Sequence, residues 1–127
     1  MPVAVKSPQV RSDQGTVLTK AVLRAADKLA VSQAALAAIV GVSEATVSRM
    51  KKGDYVLPAD SKAFELAVLF VRLFRSLDII VGGDEAVARA WLANSNLALD
   101  AKPAEKIRTV PGLMDVIAYL DARKSLA

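Results

Sequence analysis

Residues 32–52 read SQAALAAIVGVSEATVSRMKK and have the spacing of two short helices joined by a tight turn. Ser32 and Ser43 stand where each helix would start, and a side-chain oxygen at such a position accepts an otherwise unpaired backbone N–H. Gly41 stands at the turn, where a positive φ angle costs glycine least, and Ala37 is small enough to let the helices cross closely. The apolar residues of the inward-facing stripe are Leu36, Ile39, Val42, Val47 and Met50. This arrangement predicts a helix-turn-helix.

The outward face of the second predicted helix is short, polar and basic, which suits a helix that enters the major groove of DNA. On this face Arg49 can make a bidentate contact to guanine, Glu44 can accept from cytosine and Ala45 can contact a thymine methyl group. Gln33 begins the preceding helix, where its amide and nearby backbone N–H groups can donate to a phosphate. The predicted DNA-binding residues are Gln33, Ser43, Glu44, Ala45, Ser48, Arg49, Lys51 and Lys52. A purely structural helix pair is the alternative that the spacing leaves open.

The excess positive charge lies in the half of the chain that contains this motif. Residues 1–58 include eight basic and four acidic residues, whereas residues 59–127 include nine of each, for a net charge of +4. Lys51 and Lys52 end the second helix and are expected to neutralise phosphates, which position a protein without reading sequence. The charge distribution therefore favours double-stranded DNA as a partner of the amino-terminal half.

The composition excludes several kinds of site. The chain has 127 residues, of which 54% are hydrophobic, so it can form one packed domain or two small ones. It contains neither cysteine nor histidine, which excludes disulfides and any thiolate or imidazole chemistry. Ser48 and Ser95 therefore lack a histidine partner, and Gly82-Gly83-Asp84 lacks the pattern of a phosphate-binding loop. We expect no enzymatic activity, no cofactor and no metal site.

No segment is expected to direct the chain to a membrane. Residues 1–15 are interrupted by charge and lack the apolar run of a signal peptide. The apolar run over residues 66–71 is far too short to span a bilayer. The sequence therefore predicts a cytoplasmic protein with no membrane partner.

Helical periodicity continues beyond the motif, and no strand or repeat pattern interrupts it, so the predicted fold class is all-α. We expect a flexible arm over residues 1–15, a helix-turn-helix domain over residues 16–58 and a second helical domain over residues 59–127. Asp84 is expected to cap a helix, and Pro111-Gly112 to break the chain before the last one. Outside the motif, the expected helices cover residues 16–29, 60–80, 85–93, 103–108 and 113–124.

The long helix over residues 60–80 is apolar around nearly its whole circumference. A helix of this kind must be buried on all sides, and a chain this small cannot easily surround it. We therefore expect part of this helix to lie in a homodimer or partner interface, which would also let two recognition helices read a palindrome. The residues assigned to this interface are Phe64, Val68, Val71, Phe74 and Leu77. A central core helix with the first, fifth and last helices packed around it is the alternative.

The carboxy-terminal third resembles a known family. It contains AWLANSNLAL over residues 90–99, then Lys102-Pro103, then Val110-Pro111-Gly112 before the last helix. The Trp-Leu pair at a helix end, the Asn and Leu of the loop, the Pro that starts a short helix and the following Gly resemble the toxin-binding domain of Xre/MbcA/ParS antitoxins. With an Xre-type helix-turn-helix in front, residues 16–124 resemble the antitoxins of RES–Xre toxin–antitoxin modules.

The chain departs from the family pattern in the loop before the short helix. Asp100-Ala101 stands where a Gly often follows the last Leu, and Lys102 stands where a Thr or Ser cap is expected before the Pro. This loop is the part of the domain about which the resemblance implies least.

The resemblance implies two functions. The carboxy-terminal domain would bind and neutralise a cognate RES-domain toxin, a class that degrades NAD, and the helix-turn-helix would bind the chain's own promoter as a repressor. Residues 113–127 would contact the toxin, whereas Trp91 and Leu92 are assigned to core packing. The residues assigned to toxin binding are Leu113, Asp115, Tyr119, Arg123 and Lys124. A free-standing dimeric helix-turn-helix regulator of transcription, without a toxin partner, is the alternative function.

Overall fold

Seven helices account for most of the described part of the chain. The computed structural model describes residues 8–126, with side chains from residue 13 onward. Within that range there is no strand, and the one isolated bridge joins Asn96 to Ala101. The helices are α1 (Pro8–Lys28), α2 (Gln33–Val40), α3 (Glu44–Lys52), α4 (Lys62–Ile80), α5 (Glu85–Ala93), α6 (Pro103–Lys106) and α7 (Val110–Leu126). The predicted all-α class is confirmed.

Helices α2 and α3 form the predicted helix-turn-helix, with the predicted caps. Ser32 Oγ accepts the backbone N–H of Ala35 at 3.1 Å, and Ser43 Oγ accepts that of Thr46 at 3.0 Å. Gly41 adopts a φ of 74° between the two helices, a left-handed conformation that glycine adopts readily because it has no side chain. The inward stripe consists of Leu36, Ile39, Val47 and Met50, which are buried, and Val42, which is half-buried.

Helix α1 begins earlier than the sequence indicated. It starts at Pro8, so the expected flexible arm is wrong for residues 8–15, while residues 1–7 lie outside the described part of the chain. Gly15, the expected boundary, is buried inside α1, and a Cβ there would lie 2.4 Å from the carbonyl oxygen of Leu57. The backbone N–H of Leu57 also donates to Thr19 Oγ1 at 3.0 Å. The close approach of Leu57, in the segment between α3 and α4, therefore explains the glycine in α1, which marks a packing site and not a break.

The last helix also begins earlier than expected, and the short helix before it ends two residues sooner, at Lys106. Helix α7 starts at Val110, because Pro111 falls in its first turn, where the missing N–H would have no helical partner. Gly112 is buried, and a Cβ on it would lie 1.9 Å from the carbonyl oxygen of Lys106. The expected break at Pro111-Gly112 is therefore wrong, since the glycine serves close packing inside the helix.

Helix α4 lies at the centre of the core. A side-chain cap precedes it, and two glycines follow it. Ser61 Oγ accepts the backbone N–H of Phe64 at 3.1 Å, and Gly82 and Gly83, with φ of 62° and 80°, follow its end. Helices α1, α2, α5 and α7 all pack against it. The chain thus wraps more of α4 than its apolar circumference suggested, and the central-helix alternative describes most of it.

Two residues assigned to an interface lie inside the chain's own core. Val71 and Leu77 are only 8% and 1% exposed, so their assignment to a dimer or partner contact is wrong. Phe64 and Phe74 are half-buried, and Val68 is 44% exposed. Periodicity identifies apolar faces but not the element that covers each face, which is why these positions could not be separated. The exposed residues along the open side of α4 are Val68, Arg72, Arg75 and Ile79, here called the α4 strip.

Candidate DNA-binding and toxin-binding surfaces

Helix α3 presents its predicted recognition face to solvent. Val47 and Met50 anchor the opposite face in the core, which turns the charged residues outward. The exposed predicted residues are Ser43, Glu44, Ala45, Arg49, Lys51 and Lys52, while Ser48 is half-buried. The geometry therefore brings these seven residues together along one helix, at the surface where a DNA groove can reach them.

The guanidinium group of Arg49 is held by two neighbours. Its Nη2 atom donates to Thr46 Oγ1 at 3.0 Å, and its Cζ atom lies 5.9 Å from the centroid of the Tyr55 ring. A side chain positioned by a hydrogen bond and a ring loses less freedom when it contacts a base. The sequence did not lead us to predict Thr46 and Tyr55 as contacts of Arg49. The three-residue spacing from Thr46 to Arg49 could have indicated the first contact.

Gln33 ties the two motif helices together. Its Nε2 atom donates to the backbone carbonyl of Glu44 at 3.0 Å, so one amide N–H is used inside the motif. The amide has a second N–H, which leaves the phosphate contact assigned to Gln33 as a prediction. Arg24 of α1 and Lys51 of α3 border a cleft that Gln33 also lines, so Arg24 joins the basic surface around the motif.

In the carboxy-terminal domain, α5 and the loop after it are fixed by short polar contacts. Asn96 Oδ1 accepts the backbone N–H of Leu99 at 3.2 Å, and the Asn96 N–H donates to the carbonyl of Ala101 at 3.0 Å. Asp100 adopts a φ of 55°, a left-handed conformation that aspartate tolerates better than most residues. Leu99 is buried beneath the loop, whereas Leu97 is fully exposed at its tip.

Helices α5 and α7 meet through two aromatic rings. The centroids of Trp91 and Tyr119 are 6.1 Å apart, and the ring planes differ by 17°. Leu92, next to Trp91, is buried in the core as expected. Trp91 itself is half-buried and packs against the core, so its assignment to core packing holds in part.

A polar cluster joins α4 to the end of α7. Asp121 receives hydrogen bonds from Arg72 and from the Ser76 hydroxyl, and Lys124 Nζ lies 3.8 Å from Asp121 Oδ1. Desolvation raises the pKa of Asp121, but the bonds from Arg72 and Ser76, with the charges of Arg72 and Lys124, outweigh it and lower that pKa below its usual value. The carboxylate therefore stays ionised and bridges the two helices.

The comparisons with known proteins match both halves of the chain. The family model described as the antitoxin Xre-like helix-turn-helix domain matches residues 8–72. The family model described as the antitoxin Xre/MbcA/ParS C-terminal toxin-binding domain matches residues 76–125. This chain belongs to the Xre/MbcA/ParS antitoxin family. The resemblance to Xre/MbcA/ParS antitoxins found from the sequence is thereby confirmed, and neither matched domain is a catalytic one.

A solved structure has the same fold as this antitoxin. It is described as the crystal structure of the M. tuberculosis MbcT–MbcA toxin–antitoxin complex. The two chains are 24% identical, with a TM-score of 0.62, and the match covers 87% of this chain and 96% of the other. A comparison with curated proteins gave no significant match.

The antitoxin places its predicted toxin-binding residues in different environments. Leu113 is 1% exposed in the core, so its assignment as a direct contact is wrong, because the inward face of α7 is occupied by α4. Asp115 lies on the surface 3.4 Å from Lys106 Nζ. Lys124 Nζ donates to Ser76 Oγ at 3.3 Å and belongs to the Asp121 cluster. Tyr119, half-buried, and Arg123, exposed, remain accessible on α7.

Within residues 8–126, no group of three or more potential ligands among acidic, histidine and cysteine side chains is close enough to hold a metal ion. In the same range, no helix is both long and apolar enough to cross a membrane.

Proposed function

We propose that this antitoxin neutralises a cognate RES-type toxin by direct binding and represses its own operon as a homodimer. The observation that carries the proposal is the union, in one chain, of an outward-facing basic α3 with a domain matched as toxin-binding. The first function belongs to residues 59–127 and the second to the helix-turn-helix.

Toxin neutralisation is tested by co-expression with the protein encoded by the adjacent reading frame. That protein should halt growth alone, become harmless when this chain is present and co-purify with it. If it neither co-purifies nor becomes harmless, the antitoxin function is wrong and the free-standing transcriptional regulator takes its place.

The reaction of the toxin is a separate part of the proposal. RES-type toxins degrade NAD, so the purified adjacent protein should consume NAD, and an equimolar amount of this chain should stop that consumption. A partner that binds this chain but leaves NAD intact would refute the RES assignment while leaving the antitoxin pairing in place.

Repression requires binding to the operon's own promoter. Support comes from the exposed α3 residues and from the preorganised Arg49 guanidinium. Nuclease footprinting should reveal two protected half-sites about one duplex turn apart, since a dimer presents two recognition helices. Absence of protection at the promoter, with protein shown to be folded, would refute repression.

Dimerisation is supported by the α4 strip. Val68 and Ile79 are 44% and 59% exposed on a helix whose other apolar residues are buried or half-buried, and Val17 of α1 is exposed beside them. Exposed apolar residues that line one groove form a patch of the kind that protein partners cover. We assign the strip to a second copy of the chain, because a dimer would also present two recognition helices to a two-fold symmetric operator.

A further inference from the structure

Two helices of the matched toxin-binding domain present an aromatic stack at the surface. Trp91 of α5 and Tyr119 of α7 lie in an offset-stacked arrangement, with centroids 6.1 Å apart. Both rings are half-buried, so each packs on the core with one side and keeps area for another contact.

Each ring has an exposed neighbour one helical turn away. Val87 precedes Trp91 by four residues and is 49% exposed. Arg123 follows Tyr119 by four residues, and its Cζ atom lies 5.9 Å from the Tyr119 centroid. Residues four apart share a helix face, so Val87 lies beside Trp91 on α5 and Arg123 beside Tyr119 on α7, and the two stacked rings join these pairs. These four residues, Val87, Trp91, Tyr119 and Arg123, are here called the aromatic patch.

The surroundings of the aromatic patch favour close approach by a second protein. Ala86, Ala90, Ala118 and Ala122 are exposed on the same two helices, so no long side chain at these positions stands in the way of a partner. Asp115, one turn before Tyr119, lies 3.4 Å from Lys106 Nζ. In the part of the chain that the structure describes, Arg123 forms no ion pair, so its charge is available to a carboxylate.

We infer that the aromatic patch is the surface that anchors the toxin. The toxin would supply an apolar pocket for Val87 and the two rings, and a carboxylate for Arg123. Tryptophan, tyrosine and arginine are the residues that dominate the energetics of protein interfaces, because they bury large areas and pair charges in a desolvated centre. The inference rests on the proposed antitoxin function, since the toxin is the occupant.

The location of the patch favours the toxin as its occupant. All four residues fall within residues 76–125, which are matched as toxin-binding. Val68 and Arg72 of the α4 strip fall instead within residues 8–72, matched as the helix-turn-helix domain. Ile79 of the strip falls within residues 76–125, so the strip spans both matched ranges, whereas the aromatic patch lies wholly within the toxin-binding one.

The test measures toxin affinity with matched pairs of variants. Val87→Asp is compared with Val110→Asp, because the two valines are 49% and 52% exposed in the same domain. Arg123→Glu is compared with Arg108→Glu, since both arginines are exposed there. The patch variants should each raise the Kd of the toxin at least about tenfold, whereas the two controls should change it by less than about twofold.

Fluorine NMR can monitor the Trp91 ring of the patch directly. Trp91 is the only tryptophan of the chain, so 5-fluorotryptophan introduces one ¹⁹F label. Saturation with unlabelled toxin should shift this resonance, and a resonance that does not move would overturn the inference.

The affinity results separate the two proposals. If the wild-type chain does not bind the toxin, the proposed function fails and the patch has no occupant. If the wild type binds and the patch variants bind equally well, only the patch assignment fails. If Val87→Asp turns a dimer into a monomer without changing toxin affinity, the patch is a self-association surface and the inference is wrong.

Discussion

The hydroxyl of Ser76 on α4 donates to the carboxylate of Asp121 on α7 at 3.1 Å, 45 residues away in sequence. Ser76 is almost fully buried. The same carboxylate also accepts a hydrogen bond from Arg72, which lies on the exposed side of α4. Asp121 thus fixes the closing helix of the toxin-binding domain to the central helix that the helix-turn-helix packs against.

Asp121→Asn should lower the free energy of unfolding at pH 7 by about 1.5 kcal/mol, because hydrogen bonds to a charged group are lost. The pKa of Asp121 is lowered in the folded state, so its contribution is present above the unfolded value of about 3.9 and is lost as the pH falls through the folded value. The stability difference between wild type and variant should therefore shrink below about pH 4, as measured by urea unfolding. Asp115→Asn, at a surface ion pair, is the control for charge removal. A difference that stays constant to pH 2 would contradict the role given to Asp121.

Arg49→Ala and Lys52→Ala should weaken operator binding in different ways. Loss of the base contact proposed for Arg49 should cost about 1–3 kcal/mol at one base position only. Loss of Lys52 should weaken binding to all sequences and reduce the salt slope of log K by about 1. Fluorescence anisotropy with operator variants at several salt concentrations measures both effects. Uniform loss across sequences for both variants would remove Arg49 as a specificity contact.

Gly112→Ala should destabilise the fold by about 2 kcal/mol or more, because a buried site without room for a methyl group must distort. The added Cβ would lie 1.9 Å from the carbonyl oxygen of Lys106, which is backbone and cannot swing away. Gly83→Ala meets no atom within 4 Å, and its φ of 80° carries only the left-handed strain of about 1–2 kcal/mol. Thermal unfolding compares the two. A Gly112→Ala variant as stable as the wild type would show that α6 and α7 are not packed this closely.

Val68→Asp should convert the proposed homodimer to a monomer, since a carboxylate in an apolar contact has to be desolvated. Sedimentation at several protein concentrations measures the change, with Val110→Asp as the matched exposed valine outside the α4 strip. Toxin affinity should remain unchanged, because Val68 lies outside the matched toxin-binding residues 76–125. A dimer that survives Val68→Asp would exclude the strip as its interface.

The parts of the fold that the sequence predicted correctly depend on neighbours in the chain. The caps Ser32, Ser43 and Asp84, and the left-handed Gly41, act within a few residues of themselves. The conformation at such positions can be predicted from the sequence, because the backbone groups that they cap or accommodate belong to residues nearby in the chain.

The helix boundaries predicted at a glycine and a proline were wrong where contacts outside the local sequence decided the role of the residue. Gly15 and Pro111 were interpreted as helix boundaries, yet both lie inside helices. In the case of Gly15 the reason is the carbonyl of Leu57, a contact across 42 residues that no local pattern contains. The departure at Asp100 is the opposite case, since a residue other than glycine keeps the left-handed backbone.

The sequence by itself determined the all-α class, the position of the recognition helix and the family of the chain. It did so because caps, helical periodicity and motif spacing are properties of residues close in sequence. Only the tertiary structure decided which apolar side chains stay accessible. Leu77 and Val68 were assigned to the same interface from the sequence, but Leu77 is buried in the core whereas Val68 is 44% exposed. Burial depends on where the other helices pack, and that placement is set by contacts between segments far apart in the chain.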